Sequence, residues 1–250
     1  MQFVLDRLND RHASLTILEA NTAPGDRPPP QIPRGKRLAD RIGYLDLPGV
    51  VRANSVTYLT LAHGLIRALD ALGVESWVID LRRNRGGDIC TLLAAVGPIL
   101  GDGIVGGFVD ARGKCVPWIL RRGRAAVGHR GRFLPATGCQ ISRPLPAVAV
   151  LTSVVTASAA EAVVVAFKGR RATRTFGEPT AGVPTGLEQV RLSDGAWLRA
   201  STSLFVDRTG RPYRSSILPD EAVDLGPKLS GAERDPVLAT AVAHLAQSAR

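Results

Sequence analysis

The sequence predicts an α/β fold, and three observations carry that reading. Short apolar runs such as SWVIDL and PAVAVLTS have the length and density of strands buried on both faces of a parallel sheet. Longer segments with apolar side chains at helical spacing alternate with them, the pattern of crossover connections. The 250 residues are 45% hydrophobic and 22% charged, with mean hydropathy +0.07, and one core of this kind accommodates them.

Each element has a local reason. Residues 1–20 read as a short amphipathic helix followed by an extended piece, ASLTILEA. Residues 21–36, NTAPGDRPPPQIPRGK, are rich in proline and polar side chains and predict a linker or exposed loop. IGYLDLPGV reads as a strand stopped by Pro48-Gly49. Residues 54–72 have helical periodicity, with Asn54 or Ser55 as N-cap and Gly73 just past the end. SWVIDL follows as a strand ending near Leu81, and a second helix starts after NRGGD and runs through CTLLAAVGPIL. FVDARGKCVPWIL predicts a hairpin around ARGK. PAVAVLTS is a buried strand and AEAVVVAFKG a buried helix ending at Gly169. TRTFGEPTAG, the pair within LEQVRLSDGAWLRASTSLFVDRTG, and DPVLATAVAHLAQ complete a strand, a hairpin and a C-terminal helix. The chain thus divides into a short N-terminal segment with a proline-rich linker, residues 1–40, and a core, residues 41–250.

Composition narrows the function classes. The formal charge is +10, and only Lys36, Lys114, Lys168 and Lys228 are lysines; the other cations are arginines. This excess fits either a solvated surface or a basic face for an anionic partner. The dense run LRRGRAAVGHRGR has only Trp118 and Phe133 flanking it, too few aromatics for a single-strand stacking platform, so nucleic-acid binding has little support. Cys90, Cys115 and Cys139 are an odd number without CxxC spacing, and His12, His63, His129 and His244 form no HExxH pair. These spacings argue against a disulfide scaffold and against a metal enzyme. No stretch reaches the roughly 18 apolar residues of a membrane span. The opening MQFVLDRLNDRHASL lacks the apolar segment of a secretory signal, which as written predicts a cytoplasmic protein. A start upstream of Met1 would change that expectation to export.

Chemistry concentrates in three places. In PAVAVLTSVVTASAAEAVVVAF a strand runs through small residues into a helix, so Ser158 lies at a helix N-terminus where free N–H groups favour an oxyanion. Ser158 then reads as a nucleophile with the Ala159 N–H as one oxyanion donor. The same residues, S-A-A-E, also spell a capping box, in which the serine hydroxyl serves only the helix. In VIDLRRNRGGD, Gly86 and Gly87 can present backbone N–H groups without a Cβ in the way, or form an ordinary tight turn. His12, in LNDRHASL, is a surface histidine or, if Ser158 is a nucleophile, its base.

Taken together and in order, GYLDLPG, IDLRRNRGGD, VAVLTSVVTASAAEAVVVAFKGR, FGEPTAG, LSDGAWL, DRTGRPY and Pro219-Asp220 resemble the S41 peptidases. These are the C-terminal processing, or tail-specific, serine proteases. The resemblance spans about residues 41–225 and implies a ClpP/crotonase-like α/β core with mixed β-sheet and crossover helices. LNDRHASL is similar to the L-x-D-x-H-S segment of the histidine-containing branch. The resemblance assigns Ser158 as nucleophile, His12 as base, and the N–H groups of Ala159, Gly86 and Gly87 as the oxyanion hole. Of the family-pattern acids Glu161 and Glu178, Glu178 is the one taken as the third catalytic residue, and Ser14 is a further hydrogen-bonding candidate near the base. The family's G-K-G lysine has no counterpart, because Val183 stands there in GEPTAGVPTG, and Lys168 lies on the wrong segment. The PDZ module and the N-terminal helical region are also without counterpart. No cofactor and no metal are implied, and the partner is a peptide or protein substrate. The alternative is an inactive S41-fold protein that binds a peptide tail or an apolar small ligand.

Overall fold

A computed structural model describes residues 10, 12–16, 31–39, 41–131, 133, 138–224 and 235–248. The helix expected at the start and most of the proline-rich linker lie outside the described residues.

Among the described residues the fold has two sheets and four α-helices, with a short 3-10 helix at Arg52–Asn54. The strands are β1 (Ser14–Thr16), β2 (Arg34–Arg37), β3 (Ile42–Asp46), β4 (Ser76–Asp80), β5 (Gly103–Asp110), β6 (Cys115–Arg121), β7 (Arg124–Val127) and β8 (Ala147–Thr152). They continue with β9 (Thr173–Gly177), β10 (Thr185–Arg191), β11 (Trp197–Asp207), β12 (Pro212–Tyr213) and β13 (Glu221–Ala222). The helices are α1 (Ser55–Ala71), α2 (Ile89–Leu100), α3 (Ala159–Phe167) and α4 (Pro236–Ser248).

One sheet has the order β13-β9-β8-β4-β3-β2, parallel throughout except for its antiparallel edge strand β2. The other is antiparallel, with β1-β11-β5-β6-β7 in order and β10 and β12 also paired to β11. Side chains of the parallel sheet alternate between two cores, as a period of two requires. Trp77, Ile79, Val148 and Val150 face the large core with α1, α2, α3 and the antiparallel sheet. Val78, Ala149 and Leu151 face the other way, against Val237, Ala241 and Leu245 of α4. Both faces are therefore covered, which is why SWVID and AVAVLT are apolar without a polar stripe.

Two strands depart from the expectation. Arg34–Arg37, expected in a loop, forms β2 and pairs with β3 through its backbone while its side chains stay largely exposed. Arg124–Val127, within the basic run, extends the β5–β6 hairpin as β7 and buries Ala125 and Ala126. At the start of α1 neither expected cap acts as one: Asn54 makes no side-chain cap bond, and the Ser55 hydroxyl donates to Arg52 O at 2.7 Å.

What this architecture positions is a set of loops. The strands β3, β4, β8 and β9 run parallel, so the segments that leave their C-terminal ends emerge along one edge of the sheet, the usual place for a ligand crevice in such folds. These segments carry Val50, Asn84–Gly87, Thr156–Ser158 and Thr180–Thr185. Among the described residues no helix is long and apolar enough to cross a membrane.

Candidate active site

Ser158 occupies the junction of β8 and α3 with φ +54° and ψ −120°. A residue with a Cβ is held in such a conformation only when its surroundings over-determine it, at a cost of about 1–3 kcal/mol. Here Ala157 N–H donates to Asn84 O at 3.1 Å, and Ala181 N–H donates to Thr156 O at 2.9 Å. The Thr156 hydroxyl donates to Leu81 O at 2.9 Å, and the Ser158 amide donates to Glu161 Oε2 at 2.8 Å. The return half of the capping box, Ser158 Oγ toward the Glu161 amide, is a loose contact without the geometry of a cap hydrogen bond.

Glu161 is completely buried and accepts three further bonds. They come from the Thr180 hydroxyl at 2.6 Å and from the Gly182 and Val183 amides at 3.0 Å each. Burial pushes its carboxyl above the ordinary range, and these donors act against that rise. Glu161 thereby joins the Ser158 turn to the 180–183 segment. That segment contains Val183, whose amide is one of the donors to Glu161. Lys168 is at the other end of α3, bonded to Asp220 at 2.7 Å and to Thr175 at 2.9 Å.

The glycine pair divides its roles. The Gly86 amide donates to Asn84 Oδ1 at 2.7 Å, and Gly86 O accepts from Val50 N–H at 3.2 Å. Gly87 has φ +123°, and its own amide has no acceptor among the described residues. The Ala159 amide, at the first position of α3, likewise has none. Gly86 packs directly on the Ser158 turn: a Cβ there would lie 2.7 Å from Ala157 O and 2.9 Å from Ala159 N. Only glycine permits this approach. Asn84, fully buried, fixes both turns, since its Nδ2 also donates to Leu47 O at 2.8 Å.

His12 enters from the antiparallel sheet. It precedes β1, which pairs with β11 through Ser14 and Arg199. Asp10 accepts the His12 amide at 2.9 Å and the Ser201 amide at 2.8 Å, so the D-x-H spacing fixes the backbone under the ring. The His12 Nδ1 lies 2.8 Å from Thr185 Oγ1. Burial pushes the imidazole below its ordinary pKa, and the Asp10 charge acts the other way. His12 and Ser158 make no direct hydrogen bond. They are linked through the short segment in which Gly182 and Val183 hold Glu161 and Thr185 holds His12. Glu178 lies outside this network: its backbone bonds Thr152 while its carboxylate has no partner among the described residues.

Asn84, Thr185, Ser201 and Asp10 were not assigned these roles by sequence reasoning, and Glu161 was read only as a capping-box partner and a family-pattern acid. Asn84 and Asp10 had local signals, the N-R-G-G and D-x-H spacings. Thr185 and Ser201 had none.

A strained serine turn at the edge of a parallel sheet, beside backbone N–H groups without acceptors among the described residues, is the centre of this candidate site. The chain belongs to peptidase family S41, whose family model matches residues 41–223. It is 30% identical over 144 residues to the nisin-resistance protein of Lactococcus lactis subsp. lactis, covering 57% of this chain and 44% of that protein. The chain therefore spans less than half the length of that relative. Among solved structures, a lipoprotein from Streptococcus agalactiae matches with TM-score 0.66 and 24% identity, over 87% of this chain and 70% of that one. The photosystem II D1 C-terminal processing protease matches with TM-score 0.54 and 24% identity, over 80% of this chain and 46% of that one. At these identities the two structures establish the fold. Mixed α/β architecture and S41 membership agree with what the motifs imply.

Proposed function

We propose that this chain is a serine peptidase that cleaves peptide bonds through an acyl-enzyme on Ser158. His12 takes the hydroxyl proton as Ser158 attacks the carbonyl carbon. The N–H groups of Gly87 and Ala159 hold the oxyanion, and Gly86 serves by fixing the turn. As the intermediate collapses, the C–N bond breaks and the leaving amine takes the proton from His12; the neutral imidazole then deprotonates water, which attacks the ester and releases the acyl group. The observation that carries this reading is the Ser158 turn itself: a strained backbone, a hydroxyl without a true cap bond, and two amides without acceptors. Family membership supports a peptide or protein substrate. As third catalytic residue we keep Glu178, one of the two family-pattern acids, although its carboxylate touches no other member of the site among the described residues; Glu178→Gln should slow turnover of the peptide library, and unchanged turnover removes it.

A fluorophosphonate probe tests the proposal. It should label the folded protein at Ser158, and Ser158→Ala and His12→Ala should abolish labelling and turnover of a quenched-fluorescent peptide library. Labelling elsewhere, or turnover unchanged in Ser158→Ala, refutes it. The second reading, peptide binding without cleavage, is favoured by Val183 at the lysine position. It predicts no labelling at any pH, together with saturable binding of peptides from the same library.

A further inference from the structure

Resting on that reading, we infer that Asp10, Ser201 and Thr185 form a proton-ordered chain that holds His12 as the Nδ1–H tautomer, leaving Nε2 as the bare base. The argument is an inventory of donors. Four groups lie in sequence: His12 Nδ1 is 2.8 Å from Thr185 Oγ1, Thr185 Oγ1 is 2.9 Å from Ser201 Oγ, and Ser201 Oγ is 2.9 Å from Asp10 Oδ1. The two hydroxyls carry one proton each. An ionised carboxylate only accepts, so the Ser201 proton must point to Asp10. The Thr185 proton must then point to Ser201, and Thr185 Oγ1 can only accept from the ring. Nδ1 therefore carries the imidazole proton. The opposite order would set the carboxylate and the Ser201 oxygen lone pair to lone pair at 2.9 Å.

The Asp10 carboxyl is ionised for reasons on the page. Burial pushes it up, but the Ser201 and His12 amides and the Ser201 hydroxyl outweigh this and bring it below its ordinary value. The carboxylate also stands in for a strand. On β11, β1 pairs at Arg199 and β5 begins at Ser203, and Asp10 accepts the Ser201 amide in the gap between them. The base is thus tied into the sheet through three positioning residues that touch neither substrate nor the reacting hydroxyl. Thr185 lies two residues from Val183, whose amide holds Glu161. One short segment therefore sets both the nucleophile's turn and the ring's tautomer.

The tautomer is read directly from the ring-nitrogen shifts of His12 in the resting, 15N-labelled full chain, assigned by comparison with His12→Gln. The expected result is a protonated Nδ1 and an unprotonated Nε2 at neutral pH. Thr185→Val should scramble that signature and slow fluorophosphonate labelling about 10- to 100-fold, the scale of a base displaced by roughly 1 Å. Thr185→Ser, which keeps the hydroxyl, should restore both, and Ser201→Ala should act like Thr185→Val. A wild-type ring protonated at Nε2, or a Thr185→Val protein that keeps the wild-type signature, overturns the inference. If Thr185→Val fails to fold by circular dichroism, Ser201→Ala decides. The ring signature needs no turnover, so it fails independently of the peptidase reading, which falls on the site of labelling and on turnover in Ser158→Ala.

Discussion

Glu161→Gln probes the residue on which the nucleophile turn depends. The carboxylate accepts four bonds: the Ser158 and Val183 amides on Oε2, the Thr180 hydroxyl and the Gly182 amide on Oε1. A glutamine amide must place its NH2 on one side. On the Oε2 side it would face two N–H donors. On the Oε1 side it would face one, because the Thr180 hydroxyl, which already accepts Ile217 N–H at 2.8 Å, can rotate and accept again. The glutamine therefore turns its NH2 toward Thr180 and orphans the Gly182 amide. An unsatisfied buried donor costs about 1–3 kcal/mol, and neutral acceptors replace charged ones in the bonds that persist. The total is about 2–4 kcal/mol, a large share of a domain's roughly 5–15 kcal/mol. At this chain length that lowers Tm by about 4–16 °C. Ser158 keeps its amide partner, so fluorophosphonate labelling should persist, slowed by a looser 180–183 segment. Glu161→Leu, which loses all four acceptor sites, should be worse in both respects. Thermal melts monitored by tryptophan fluorescence, run beside labelling rates, check this. A Glu161→Gln protein within about 0.5 kcal/mol of wild type, the range of an ordinary surface change, would refute the reasoning.

Ser158→Ala keeps the strained backbone and removes only the hydroxyl, so its urea midpoint should match wild type, whereas loss of a true cap would cost about 1 kcal/mol. Ser158→Gly relieves the positive φ of +54° and should raise the midpoint by about 1 kcal/mol while abolishing labelling. His63 is completely buried with Nε2–H donating to Ala94 O at 2.9 Å and Nδ1 unpartnered, and burial pushes its pKa below the ordinary value. The unfolded chain then takes up this proton first, so stability falls as pH drops through about 6.5 toward the lower folded value; urea titrations from pH about 7 to about 5 should be flatter for His63→Gln. Arg82 bonds Asp80 and Asp235 through both carboxylate oxygens of each, tying β4 to the start of α4. Arg82→Met strands the buried Asp80, should cost about 3–5 kcal/mol, and should raise hydrogen exchange across 235–248 before the rest of the chain.

The elements visible in the sequence are those whose burial is periodic or continuous. β4 and β8 are apolar because both faces are covered, and α2 is bounded by signals that act locally, with the Asp88 side chain accepting Thr91 N–H at its start and Gly101 at φ +92° past its end. β2 was invisible because RGKR pairs by backbone alone at an edge, with charged side chains that also protect that edge from further pairing. β7 was invisible because RAAV buries two small residues side by side in an arginine-rich run. The site follows the same division. Ser158 and the glycine pair are features of single turns, and their neighbours in sequence announce them. Thr185 and Ser201 meet across β10 and β11, where the register carries an irregularity between Gly186 and Leu187, and nothing within either segment encodes that meeting.

The S-A-A-E segment presented two readings, a helix cap or a nucleophile, and the arrangement of Glu161 bears on both. A helix start needs acceptors for its first amides, and a serine at N-cap would ordinarily supply one with its hydroxyl. With Ser158 at φ +54°, the backbone instead turns the serine amide toward the helix and leaves the hydroxyl loosely placed. Glu161 accepts that serine amide on Oε2, and its two oxygens together also take the Thr180 hydroxyl and the Gly182 and Val183 amides of the 180–183 segment. The glutamate half of the capping box is thus a short, fully formed bond, while the serine half is only a loose contact. The strain, the lopsided box and the burial of a carboxylate with four donors are consequently one device, and each of the Glu161 and Ser158 variants breaks a different part of it.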